Sequence, residues 1–156
     1  MTVLFEGAAR ALLITHAVLG FTAVLASTHH AAHAVLATMG RPQVRALQRF
    51  AWIAPLAVIA QAISGLAIYP LYRVRVRAAV LEKTAPAVVQ WFDFKEHLSA
   101  LALALVIAAA LAGRGMDPDT PRDHRWPVAA LSGTGAAFLW AATLIGLYVT
   151  SHKPLP

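Results

Sequence analysis

Four long apolar runs, separated by short charged connections, constrain this chain more than any other feature of its sequence. The runs lie at about residues 11–39, 50–72, 88–112 and 126–150, and each meets or exceeds the ~20 residues that cross a hydrocarbon core. With 59% hydrophobic and only 13% charged residues, the chain carries more apolar surface than one small water-soluble core can bury. The sequence therefore predicts an all-α integral membrane four-helix bundle, a single transmembrane domain over residues 1–156.

The charged residues are concentrated at the ends of these runs. Four spans would place both termini and the second connection on one side of the membrane, here face A, and the first and third connections on the other side, face B. Lys and Arg are divided almost equally between the two faces, so the charge distribution leaves the orientation open. The formal net charge of +6 belongs to connections that would meet membrane lipids, and not nucleic acid. We expect an integral membrane location, in a bacterial inner membrane.

The seven histidines are the chemical signal in this apolar background, because ligating groups inside a bilayer usually have a function or a partner. His16 and His30 are fourteen residues apart, which leaves them ~40° apart around a helix and ~21 Å apart along it. They share one helix face at two depths. Gly20, one turn from His16, leaves room for a flat ring or for another helix. The absence of Cys excludes covalent haem attachment through a CxxCH motif.

The fourteen-residue spacing with an intervening glycine resembles the helix that carries one axial ligand for each of two stacked haems in membrane b-type cytochromes. The resemblance covers the first run and the count of four helices. It implies haem b as a cofactor and electron transfer as the function. His30 is then the candidate ligand of a second haem, but the other runs offer no buried histidine near face B. One haem and two haems both stay open.

His97 is the candidate partner of His16. His16 follows Arg10 by six residues and His97 follows Trp91 by six, so both are expected ~9 Å from the face A interface. The first and third helices of a bundle can face each other across its centre, as a bis-imidazole haem requires. A bis-imidazole haem therefore favours the function of an electron carrier over that of a stand-alone enzyme. Its donor and acceptor are unknown, a quinone is one candidate, and the chain could work as a homo-oligomer or within a larger membrane complex.

The stretch "YPLYRVRVR" begins the second connection at the same face. It brings two phenols, Tyr69 and Tyr72, and three guanidinium groups near the predicted haem, and guanidinium groups pair well with carboxylates. The predicted partners of the haem propionates are Tyr72, Arg73, Arg75 and Arg77, and Lys95 could assist them. The competing interpretation is that they are ordinary interface anchors.

His29 and His33 form an i, i+4 pair on another side of the first helix. This spacing can chelate Cu or Zn, with His124 or a carboxylate of the third connection completing the coordination. Hydrogen bonds to neighbouring helices would explain the pair equally well. Two further functions stay open beside electron transfer: a metal-handling membrane protein built on His29, His30 and His33, and a structural or assembly subunit of a larger membrane complex.

Overall fold

The computed structural model describes residues 5–41 and 43–152, and this part of the chain is helical without any strand. After a short 3₁₀ turn at Glu6–Ala8, four helices follow: α1 Ala9–Thr38, α2 Val44–Leu71, α3 Pro86–Gly113 and α4 Arg122–His152. All four are long and apolar enough to cross a membrane. The prediction of an all-helical protein with four such segments is confirmed, whereas insertion and the side of the termini stay predictions.

The helices form a ring in which each packs against two others. α1 contacts α2 and α4, and α3 likewise contacts α2 and α4. α1 and α3 are therefore diagonal to each other, as the predicted haem site requires. Short connections between successive helices favour this antiparallel arrangement.

The interior of the ring consists of three apolar layers, and small residues dominate the middle one. Alanines allow the helices to approach closely, as small residues do at helix contacts of membrane proteins. Large apolar side chains lie outside: Leu66 is 73% exposed and Ile63 is 62% exposed. The middle layer is Ala23, Val24, Ala26, Ala54, Ala57, Val58, Ala102, Val106 and Leu139.

The second connection is more helical than the sequence suggested. The predicted run ends near residue 72, but α2 continues into a π-helical stretch with wider turns, Tyr72–Leu81. A last α-helical turn, Glu82–Thr84, follows it. In the wide stretch the Glu82 N–H donates to the Arg77 carbonyl, a span of five residues. Such widened turns are frequently found at functional sites. From this stretch Arg77 reaches Asp93 of α3.

Arg125 organises the third connection and the face B end of the bundle. Its side chain is only 6% exposed and donates to three carbonyls: Ala37 O at 2.9 Å, Pro118 O at 2.9 Å and Thr120 O at 2.8 Å. One guanidinium group thus joins the end of α1, the connection and the start of α4. Beside it, the Thr120 hydroxyl donates to the Asp117 carboxylate at 2.8 Å, which lowers the pKa of Asp117.

Candidate functional site

His16 is held at the α1–α2 interface by a defined hydrogen-bond chain. The Ser64 hydroxyl donates to the Gln61 carbonyl at 2.7 Å, and the Ser64 oxygen accepts from His16 Nδ1 at 2.9 Å. Because the Ser64 hydroxyl gives its proton to Gln61, this network assigns the His16 proton to Nδ1 and a lone pair to Nε2. The Gln61 amide nitrogen is 3.5 Å from that Nε2, at the limit of a hydrogen bond. This is the tautomer that a metal-ligating histidine needs, with its other nitrogen donating to a polar partner.

The His16 ring packs closely against a glycine of α2. A Cβ at Gly65 would lie 3.1 Å from His16 Cε1, and a Cβ at Gly20 would lie 3.9 Å from the Gln61 side chain. The predicted role of Gly20 as a spacer is compatible with this contact. Gly65 is the glycine that directly adjoins the ring, so the α2 backbone permits the close approach of α1 here.

The structure does not bring His97 to His16. His97 is exposed, and its Nδ1 donates to the Asp93 carbonyl of its own helix at 2.7 Å. His97 is nine residues from both Val88 and Val106, which are buried at 3% and 1%. Nine residues are two and a half helical turns, so His97 lies on the outer face of α3.

Lys95 takes the inward position at this level instead. It is seven residues, about two turns, from both Val88 and Ala102, which are buried. Its methylenes pass α4, with Cε 3.5 Å from the position of a Cβ at Gly146. Lys95 also lies within electrostatic range of His16. The polar groups of the His16 level thus include His16, Ser64, Gln61 and Lys95, and the half-buried Glu96 carboxylate lies within electrostatic range of Lys95.

Phe92 connects this level to the face A interface. The Tyr72 ring stacks on it with centroids 4.0 Å apart, and the Lys95 Nζ lies 4.9 Å from its centroid. Tyr72 is 8% exposed, and its hydroxyl has no hydrogen-bond partner among the described residues. Phe92 therefore lies among the Tyr72 phenol, the Lys95 ammonium group and, at 6.4 Å between ring centroids, Tyr69.

The three arginines predicted to bind propionates are arranged differently from one another. Arg77 donates to both oxygens of Asp93, at 2.7 and 3.2 Å, and to Glu82 at 3.0 Å. Arg75 pairs with Glu6 at 2.7 Å. Arg73 is exposed. Arg77 and Arg75 thus already neutralise carboxylates of the chain, and their binding of a propionate would require these pairs to open.

His30 lies in the bundle interior, as its register with His16 predicted. It is 1% exposed, and its Nε2 has no hydrogen-bond partner in the described part of the chain. A Cβ at Gly113 would lie 3.3 Å from this Nε2 and 3.2 Å from Val128 Cγ1. The imidazole is therefore enclosed by α3 and α4, and its role as a second haem ligand stays a prediction.

His29 and His33 form a stack with a third ring. Phe50 of α2 lies 5.0 Å from His29 and 5.7 Å from His33, centroid to centroid, with the planes nearly parallel. His124 is exposed at the start of α4. Within residues 5–41 and 43–152 no group of three or more His, Asp or Glu side chains is arranged to hold a metal ion. The Cu or Zn site stays a prediction.

Sequence reasoning assigned no functional role to Gln61, Ser64 or Gly113, and it considered Lys95 only as an aid to the arginines at the propionates, not as a residue at the level of His16. Lys95 could have been found by helical register, because it is one of the residues at heptad distance from the apolar positions Val88 and Ala102. The role of Ser64 could not have been predicted from the sequence, because its contact with His16 depends on how α1 and α2 are aligned along their axes.

No protein-family model, no curated protein and no solved structure matches the chain.

Proposed function

We propose that this chain is a membrane electron-transfer protein that binds haem b through His16. One observation carries the proposal: Ser64 accepts from His16 Nδ1 at 2.9 Å, which leaves the lone pair on Nε2, and iron binding there would require the Gln61 amide, 3.5 Å from Nε2, to move aside. A polar hydrogen-bond partner on the second nitrogen is typical of ligating histidines and raises their basicity. Bound haem would supply one-electron chemistry within the apolar bundle.

The surroundings of His16 combine close helix packing with a small number of polar groups. Gly65, Gly20 and Gly146 carry no side chain, so the His16, Gln61 and Lys95 side chains lie close to the backbone of the neighbouring helices. The polar groups are few and are placed on different helices, as in pockets that bind an apolar cofactor and fix its orientation.

Haem content of the detergent-purified protein tests this proposal. The protein should show a reduced-minus-oxidised haem spectrum, and His16→Ala should abolish it while His124→Ala, the control for an exposed histidine, should not. His97→Ala should lower the haem content less than His16→Ala does, because His97 faces away from the bundle interior. A wild-type protein without haem after expression in haem-replete cells would overturn the proposal. Equal loss in both variants would support the bis-imidazole pair predicted from sequence.

A further inference from the structure

The outward face of α2 carries one continuous stripe of large side chains, called here the α2 stripe. Its members repeat at intervals of three and four residues, so they lie within about 100° of one another around the helix. The two positions nearest the start of α2 are arginines, the third is a tryptophan, and the others are aliphatic. All of them are exposed: Arg45, Arg49, Trp52, Leu56, Ile59, Ile63 and Leu66.

The arginine end of the α2 stripe lies beside the end of α3. The Gln48 side chain donates to the Met116 carbonyl at 3.0 Å, which joins the first turns of α2 to the third connection. Two residues before Met116, the Arg114 guanidinium carbon lies 5.6 Å from the centre of the Trp52 ring. A cation–π contact of this kind leaves the guanidinium N–H groups available as donors.

The three guanidinium groups at this end form no ion pair within residues 5–41 and 43–152: Arg45, Arg49 and Arg114. The carboxylates of face B do not pair with them. Asp117 has Arg125 as its cationic neighbour, and Asp119 and Asp123 are exposed. The α2 stripe therefore has a concentrated positive charge at one end of an apolar surface.

The order of chemical groups along the α2 stripe matches that of a phospholipid. Guanidinium groups bind phosphate oxygens through paired hydrogen bonds, and tryptophan favours the level of the membrane–water interface. From Leu56 to Leu66 the aliphatic part extends ~15 Å along the helix. This equals half of the ~30 Å hydrocarbon core, the depth that one lipid leaflet fills.

Charge favours a lipid over a second copy of the chain on this surface. A copy in the same orientation would bring its own Arg45 and Arg49 to the same level, and facing like charges disfavour association. Anionic headgroups have the opposite sign and attract basic residues at the membrane surface.

We propose that Arg45, Arg49 and Arg114 bind the headgroup of an anionic phospholipid whose acyl chain lies along Trp52 and Leu56. The ligand class is a phospholipid with net negative charge, which the three cations distinguish from a zwitterionic one. The site is separate from His16 and does not depend on the proposed haem.

Fluorescence of Trp52 tests this site directly, because bromine on a lipid acyl chain quenches a tryptophan that it touches. The chain has four tryptophans, so Trp91→Phe, Trp126→Phe and Trp140→Phe leave Trp52 as the single reporter. The full chain is reconstituted in equimolar phosphatidylglycerol and phosphatidylcholine, with bromine on one lipid or on the other. Quenching should correspond to at least about fivefold tighter binding of phosphatidylglycerol, the preference that one cation near the surface supplies.

Two double variants of the Trp52 reporter separate the site from general surface charge. Arg45→Gln/Arg49→Gln should bring the two lipids to nearly equal binding, while Arg114 stays in place because it contacts the reporter. Arg10→Gln/Arg73→Gln, the matched control, removes two exposed arginines at face A and should keep the preference. A reporter with Trp91 alone should be quenched equally with and without Arg45→Gln/Arg49→Gln, which shows that this variant stays folded and inserted.

Four results would overturn the proposal. Equal binding of the two lipids beside Trp52 would show no selective site, and a preference that survives Arg45→Gln/Arg49→Gln would assign it to other residues. Absence of quenching by either lipid would show that protein, such as a second copy, covers the α2 stripe. Loss of the preference on addition of inorganic phosphate would show that the cations bind free phosphate and not a lipid headgroup.

Discussion

At the scale of single residues, hydrogen-bonding partners determine which histidine is chemically prepared to act as a ligand. His16 and His97 both donate from Nδ1, but His16 does so to a side chain of another helix and His97 to a carbonyl of its own helix. The first arrangement fixes the ring inside the bundle, and the second is common for exposed helical histidines. Equal depth along the axis, the basis of the sequence prediction, does not distinguish them.

Ser64→Ala tests the importance of the His16 tautomer. The substitution removes the acceptor for His16 Nδ1 while leaving the imidazole in place. We expect haem affinity to fall by roughly 10-fold to 100-fold, the usual effect of losing an outer partner of a ligating histidine. Haem titration of the apoprotein measures it.

Ser132→Ala is the matched control for Ser64→Ala. Ser132 is also buried, at 2% exposure, but its hydroxyl donates to carbonyls of its own helix. Its loss should leave haem affinity unchanged. Equal affinities in the two variants would show that Ser64 has no influence on the His16 ring.

At the scale of helices, close contacts at small residues align the elements that form the site. α3 and α4 approach each other at Gly135, where an added Cβ would lie 3.1 Å from Val106 Cγ2, 3.3 Å from Leu105 Cβ and 3.4 Å from the Val106 backbone nitrogen. Backbone cannot move aside as a flexible side chain can. The interface therefore depends on the absence of a side chain at this position.

Gly135→Ala should destabilise the bundle by about 1–3 kcal/mol, the usual cost of overpacking a well-packed interface. Gly133→Ala, two residues away on the same helix, meets nothing within 4 Å and should stabilise it by roughly 0.5–1 kcal/mol, because alanine favours a helix interior. Unfolding in mixed micelles, followed by circular dichroism, compares the two. A Gly135→Ala variant as stable as Gly133→Ala would mean that α3 and α4 are less closely packed than the structure shows.

At the scale of the whole molecule, the ring of four helices divides the connections between two faces. The second connection and the third connection lie at opposite ends of α3, which runs from Pro86 to Gly113. If α3 crosses the membrane, these two connections are exposed on opposite sides of it. The exposed side chains of Lys83 and Asp119 serve as markers for the two sides.

Single cysteines introduced as Lys83→Cys and Asp119→Cys should react with a membrane-impermeant maleimide from opposite sides of the membrane. The chain has no native cysteine, so each variant reports one position without background. Labelling of intact cells before and after permeabilisation makes the comparison. Reaction of both positions from the same side would contradict four membrane spans.

The sequence by itself determined the number, type and approximate limits of the helices, because apolar length and bracketing charge depend only on local composition. It also determined that His16 and His30 lie on one face of α1, because helical periodicity fixes their relative direction. Tertiary structure decided which residues of the other helices pack against this face of α1 and against the corresponding faces of α2 and α3. The rotation of α3 that directs Lys95 inward and His97 outward, and the alignment of α2 that places Ser64 against His16, depend on packing among four helices. Apolar residues surround every helix of such a bundle, so local patterning gives little information about which side faces the interior. The wide helical stretch after Tyr72 and the Arg125 contacts likewise depend on partners distant in sequence, which one segment alone does not specify.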